Sequence, residues 1–288
     1  MHSRLNNCTP RMRCLECGGA LREHDVLLTC VSCAHTYTVK DGVIYCTDYF
    51  PMSNEGQGTL TSFLKESLKR FPRVYYIVTH FFGASMTGVS SKKFYLTHFN
   101  SFHVVLNIGA GVKRIHAGIT NVDISPYGPV DIVADMRHLP FKDTSVDGVI
   151  CEDVLEHVND PVSAVKEMYR VLSPGGKVFI SVPFIFHYHK SPQEDYYRWT
   201  KQGLRELTRD FKELHSGPRH GPTSALILVL ISWISMVLSL GSARVFEFFF
   251  IILTIVFAPW CHIVDPLLSR FPTASNMTSG FYFIGKKE

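Results

Sequence analysis

Runs of lysine and arginine are missing from this chain, and a net charge of +4 over 288 residues does not by itself point to a nucleic acid. Internal repeats and low-complexity tracts are missing too, which leaves a packed globular core as the expected architecture. No cleavable signal peptide precedes the cysteines, so an exported disulfide scaffold is not expected. Glycine is lacking where one nucleotide motif needs it. The turn Asn107-Ile108-Gly109-Ala110-Gly111 is followed by Arg114, where the dinucleotide fingerprint has its third glycine. A pyrophosphate would meet a bulky, cation-bearing turn there, which argues against a nicotinamide cofactor.

What surrounds that turn is ordered. His103-Val104-Val105-Leu106 reads as a buried strand that delivers two glycines to a strand-to-helix turn, where backbone approaches a ligand closely and the next helix offers free N–H groups. Ile119 to Asp123 reads as a second strand ending in an acid able to accept both hydroxyls of a ribose. Asp131 to Asp135 gives a third strand with an acid at its tip, able to accept from an adenine amino group. Ser145 to Cys151 is a fourth, running into Glu152-Asp153-Val154-Leu155-Glu156-His157, with a helix from Val162 to Leu172 opened by Asp160-Pro161. Lys177 to Pro183 is a fifth. Alternating strands and helices predict a mostly parallel sheet covered on both faces.

Asn-Ile-Gly-Ala-Gly, Val-Asp-Ile-Ser, Ala-Asp-Met-Arg-His-Leu-Pro-Phe, Val-Leu-Glu-His-Val-Asn-Asp-Pro and Val-Leu-Ser-Pro-Gly-Gly follow one another between Val104 and Pro183. This ordered set resembles the type 11 branch of the class I, Rossmann-like S-adenosylmethionine-dependent methyltransferases. The resemblance implies a seven-stranded α/β sheet with helices on both faces and S-adenosylmethionine as cofactor. It places the methionine part against Asn107, Gly109, Ala110 and Gly111, the ribose at Asp123 with Ile124, and the adenine at Asp135 with Met136, with Glu152 also lining the site. Asn107 departs from the acid that many members carry. His157 beside apolar neighbours reads as a packed side chain.

Residues 1–50 read as a separate zinc ribbon. Cys14-x-x-Cys17 and Cys30-x-x-Cys33 are two knuckles twelve residues apart, and four thiolates so spaced suit a tetrahedral zinc ion. Tyr37 to Ile44 alternates around a turn and predicts a hairpin. Cys8, Cys46, Cys151 and Cys261 lack partners at ligand spacing and read as ordinary thiols. Residues 51–100 read as a linker followed by lid helices, with amphipathic patterning from Leu60 to Phe71 and an aromatic-rich stretch from Arg73 to Phe82.

Within the remaining domain, 101–288, two apolar segments stand out. Ser224 to Leu240 carries no charge, Val245 to Val264 is apolar except for Glu247 and His262, and Gly241-Ser242-Ala243-Arg244 separates them. These predict a helical hairpin over 224–268 in contact with a membrane, its second arm interrupted by Pro259. Phe211 to Gly217 and Gly280 to Lys286 match strands six and seven of the resembled fold, so the hairpin is inserted between them. Both its ends then lie on one side of a bilayer. Arg244 alone marks the tip, which agrees with a cytoplasmic catalytic domain.

The segment after strand five, Phe184 to Thr200, is dense in His, acid, Arg and aromatics. His187 or His189 would serve as a base for methyl transfer, with Asp195 orienting it. Thr200 reads as the cap of a helix from Lys201 to Thr208. The favoured reading is a membrane-associated methyltransferase acting on an oxygen or nitrogen of a membrane lipid, lipid-linked glycan or other amphipathic acceptor. An RNA or protein methyltransferase gripping its polymer through the zinc ribbon, and a non-catalytic scaffold, are the alternatives.

Overall fold

The computed structural model describes residues 8–24, 26–47, 82–112, 114–188 and 194–288. Of the stretch read as linker and lid helices, 51–100, residues 51–81 therefore lie outside the described residues, as does His189.

In chain order the strands and helices are β1 (Leu21–His24), β2 (Leu27–Cys30), β3 (Thr36–Lys40), β4 (Val43–Tyr45), α1 (Ser91–His98), β5 (Val105–Ile108), β6 (Ile119–Asp123), β7 (Ile132–Val133), β8 (Val146–Glu152), α2 (Pro161–Val171), β9 (Leu172–Pro183), α3 (Lys201–Leu207), β10 (Lys212–Pro218), α4 (Pro222–Ser239), α5 (Ala243–Leu268) and β11 (Gly280–Lys286). The strands join in the order β1-β2-β3-β4-β7-β6-β5-β8-β9-β11-β10. From β4 to β9 the pairing is parallel, while β11 runs antiparallel between β9 and β10. A strand overlaps each of the seven expected segments, but the sheet has eleven strands, not seven, because the N-terminal hairpins extend its edge. Ile44 and Tyr45 pair with Ile132 and Val133, and Met12 bridges to Phe141. An unpaired edge at β7 would expose a row of backbone donors and acceptors, and β4 satisfies them.

The central strand β5 is buried along its whole length, as a parallel strand with both faces covered must be. One of those covers is α1, which the sequence pattern did not reveal. Its Phe94 and Tyr95 pack with Val105, Ile119, Ile150 and Phe179. Helix α2 begins as anticipated: Asp160 accepts from the Ser163 N–H at 3.0 Å and Pro161 occupies the first turn. It buries Ala164, Val165, Met168 and Val171 at helical spacing. The chain then enters β9 directly at Leu172, so the Ser173-Pro174-Gly175-Gly176 stretch belongs to an irregular strand start instead of a loop.

Two other expectations are corrected. No helix follows the glycine turn among the described residues, and the chain passes through turns to β6. Pro259 and Pro266 do not interrupt α5, which runs unbroken for 26 residues. The foot of the α4–α5 pair is polar and closed. Buried Asp265 of α5 accepts from the N–H groups of Thr223 and Ser224, at 2.7 and 3.1 Å, and from the Ser224 hydroxyl at 2.6 Å. Thus α5 caps α4, whose own first residues offer no capping side chain.

Candidate active site

The carboxyl ends of β5, β6, β7, β8 and β9 lie at one edge of the sheet, where open α/β sheets bind ligands. Gly109 and Gly111 turn the chain there with φ of +70° and +55°. A Cβ at Gly109 would stand 2.3 Å from Val154, so the site requires glycine on both conformational and packing grounds. A Cβ at Gly111 would enter open space, which leaves that backbone accessible to a ligand. Lacking a helix, the turn draws its order from Asp123. Its carboxylate accepts from the N–H of Gly111 at 2.8 Å and of Ser125 at 2.9 Å. Burial raises the Asp123 pKa, and the N–H groups of Ser125 and Gly111 offset this only in part.

The other residues expected to hold the cofactor are distributed unevenly. Ala110 and Met136 are buried beside the turn and Ile124 is half-buried. Asp135 is held by the Arg137 guanidinium at 2.6 Å; burial works against its charge, but the hydrogen bonds from Arg137 win and lower its pKa. Asn107 is buried within the sheet and donates to Asn121 at 3.2 Å, tying β5 to β6. Arg114 is drawn away from the turn by a paired contact with Asp131, both distances 2.9 Å. Glu152 accepts from Ser91 at 2.7 Å and from Arg219 at 2.9 Å. The accessible Gly111 backbone and the strand-end Asp123 suit the methionine and ribose parts of S-adenosylmethionine, whose sulfonium methyl would supply the electrophile.

At the carboxyl ends of β8 and β9 lies a cavity of about 130 Å³ lined by Asp153, Glu156, Pro183, Phe186, His220, Ser279 and Gly280. Sequence reasoning singled out none of these as site residues. Arg219 is nearly buried and bridges Glu152, Asp153 and the Ser181 hydroxyl. Its partners lie more than thirty residues away in the chain, so no local pattern could have revealed them. His220 meets the Ser279 hydroxyl at 2.9 Å, and burial lowers its pKa to about 4, so it is neutral near pH 7.

In the segment after β9, which holds the expected base and its orienter, the described residues include His187 and Asp195. Both oxygens of buried Asp195 accept from Arg198, at 2.5 and 2.6 Å, and Arg198 in turn donates to the carbonyl of His187 at 2.8 Å. The acid therefore orders backbone through Arg198. The His187 ring stacks on Phe186 and meets Phe250 of α5 edge-on at 5.9 Å. His157 bonds the Glu194 carbonyl at 2.8 Å, as a packed side chain would.

At the other end of the sheet, Cys14, Cys17, Cys30 and Cys33 bring their sulfurs within 4.8 Å of one another. Zinc–sulfur bonds near 2.3 Å would set tetrahedral edges of about 3.8 Å. Cys14–Cys33 at 3.7 Å and Cys17–Cys30 at 3.4 Å fit that size. N–H groups of Gly19 and Ser32 point at the sulfurs of Cys17 and Cys30, each at 3.4 Å, as thiolate acceptors require. All eight cysteines are free thiols in the structure.

Residues 106–180 match the family model described as a methyltransferase domain. The chain is 31% identical over 74 residues to a tRNA U34 carboxymethyltransferase of Campylobacter curvus, a match covering 25% of each chain. It is 33% identical over 99 residues to a ubiquinone biosynthesis O-methyltransferase of Xanthomonas oryzae, covering 27% of this chain and 41% of that one. The chain thus spans well under half the length of these curated relatives. A solved structure of a Haemonchus contortus phosphoethanolamine N-methyltransferase 2, in complex with phosphomonomethylethanolamine and S-adenosylhomocysteine, aligns at 18% identity with a TM-score of 0.44, over 77% of this chain and 60% of that chain.

Proposed function

We propose, for a chain whose residues 106–180 form an S-adenosylmethionine-dependent methyltransferase domain, that it acts at a membrane and methylates an oxygen or nitrogen of a lipid, a lipid-linked glycan or another amphipathic acceptor. The observation that carries this reading is the outward face of α4 and α5. Trp233, Met236, Phe248, Ile255, Trp260 and Ile263 are all more than half exposed, a continuous apolar surface that water would not favour. The two helices are long and apolar enough to cross a bilayer. At 1.5 Å per residue they measure roughly 27 and 39 Å, against a hydrocarbon core of about 30 Å. Because α4 leaves from β10 and α5 returns to β11, both feet stand on the catalytic side, and Arg244 marks the opposite tip. That supports a cytosolic catalytic face. Phe250 touching His187 links the pair to the segment beside the cavity.

Labelled S-adenosylmethionine incubated with the enzyme and membranes should put its label into the lipid extract. A chain lacking residues 224–264 should lose membrane fractionation. Label recovered in RNA or protein, or an unchanged soluble enzyme after the deletion, would overturn the reading. The pairing of β4 with β7 argues against the ribbon as a free polymer grip, since its last strand is committed to the catalytic sheet.

The four thiols hold zinc in this reading, and the ion fastens the hairpins that extend the sheet. Replacing Cys30 with serine should lower bound zinc from one equivalent to below about a tenth, measured by metal analysis of the purified protein. It should also make Arg13 and Leu28 accessible to protease. Full zinc content in that variant would exclude a four-thiolate site.

A further inference from the structure

Glu156 is fully buried, and among the described residues neither of its carboxylate oxygens has a hydrogen-bond partner. A buried polar group left unsatisfied costs stability, so its retention calls for a role. Its placement supplies one. Glu156 lines the cavity of about 130 Å³ between the carboxyl end of β8 and the start of α4, together with His220 and Phe186. Cavities near that size hold a single six-membered ring.

Resting on the methyl-transfer reading above, we propose that this cavity receives an uncharged, hydroxyl-bearing head group about one ring in size, and that Glu156 is the base that takes the hydroxyl proton. In the step, a lone pair of the acceptor oxygen forms the new O–C bond. The C–S bond of the sulfonium donor breaks with its electron pair going to sulfur, and the O–H proton passes to the Glu156 carboxylate. Products are an O-methyl ether, the neutral thioether and protonated Glu156, which releases its proton to solvent.

The other charged groups around the cavity are already paired before the acceptor enters. Arg219 is paired with Glu152 and Asp153, and Arg198 with Asp195. Neutral His220 adds hydrogen-bonding capacity without charge, which suits an uncharged hydroxyl. The groups facing Glu156 are Cys151 of β8 and Asp153 just after it, Asp195 and Arg198 after β9, and Arg219 and His220 after β10. Burial first, and Asp153 second, push the Glu156 pKa up to about 8, in the range where a carboxylate accepts a proton effectively near neutrality. Helix α4 begins two residues after His220, so an acceptor anchored in a bilayer would present its head group at this depth.

The test compares wild type with Glu156→Gln and Glu156→Asp, using methyl-labelled S-adenosylmethionine and membrane lipid extract. Glu156→Gln should keep donor affinity within about threefold by calorimetry and lose turnover by about 100-fold or more. Glu156→Asp should recover part of it. Wild-type turnover should rise with pH up to about 8, with the label in an acid- and base-stable ether. The stability readout needs no acceptor. A carboxyl whose pKa is raised on folding loses stability as pH climbs from its unfolded value to its folded one, so Glu156→Gln should melt above wild type by a margin that grows between about pH 4.5 and 8. Equal turnover by Glu156→Gln, label in an ester or N-methyl group, or a lower melting temperature for that variant would each overturn the proposal alone. No labelled product with wild type would overturn the methyl-transfer reading and this one with it.

Discussion

Asp123→Ala should weaken S-adenosylmethionine binding by about 100-fold or more, read by calorimetry on the full chain. In the proposed cofactor site its carboxylate would accept two ribose hydroxyls, and hydrogen bonds to a charged group contribute about 1.5–3 kcal/mol each. The same carboxylate orders the glycine turn through the N–H of Gly111, so the substitution also loosens the backbone that would hold the methionine part. Burial raises the Asp123 pKa, so affinity should begin to fall at a higher pH on acidification than for an ordinary carboxylate. Affinity within threefold of wild type would remove Asp123 from the cofactor site.

Arg219→Met should destabilise the fold by about 3 kcal/mol or more, measured by denaturant unfolding at pH 7. Removing the buried cation from an ionic cluster leaves its carboxylates without a counter-charge. Here that strands Glu152 and the Ser181 hydroxyl against β8 and β9, and takes the partner from Asp153. Asp153 gives the sign with pH. Burial disfavours its charge, but Arg219 outweighs burial and lowers its pKa. A lowered carboxylate pKa contributes stability that is present above the ordinary value of about 3.9 and is lost as pH falls through the folded value. The difference between Arg219→Met and wild type should therefore be largest near neutrality and shrink in acid. A difference that stays constant with pH would show that Arg219 contributes packing alone.

Legibility in the sequence followed the range of the interaction. Strands β6 and β11 were bounded to the residue, because each is a short buried run whose end an acid or a glycine punctuates. The Asp160 and Thr200 caps were equally plain, since the donor and acceptor are three residues apart. Helix α1 was not legible because its pattern is weak and its burial comes from partners distant in the chain, among them Val105 and Tyr282. The helix expected after Gly111 was lost to local competition. Arg114 reaches back to the Ile119 and Pro129 carbonyls and to Asp131, which holds that stretch in turns.

By itself, the sequence determined the order of strands and acids around the glycine turn, the spacing of the four thiols and the apolar character of the hairpin. Each is a matter of residue type at short separation, where propensity and periodicity act. Only the tertiary structure decided that the N-terminal hairpins extend the catalytic sheet, that Asp195 pairs with Arg198, and that Glu156 and His220 line one cavity. Those depend on which distant groups burial brings together. A buried edge must find backbone partners and a buried charge must find its opposite, and neither requirement leaves a local mark on the chain.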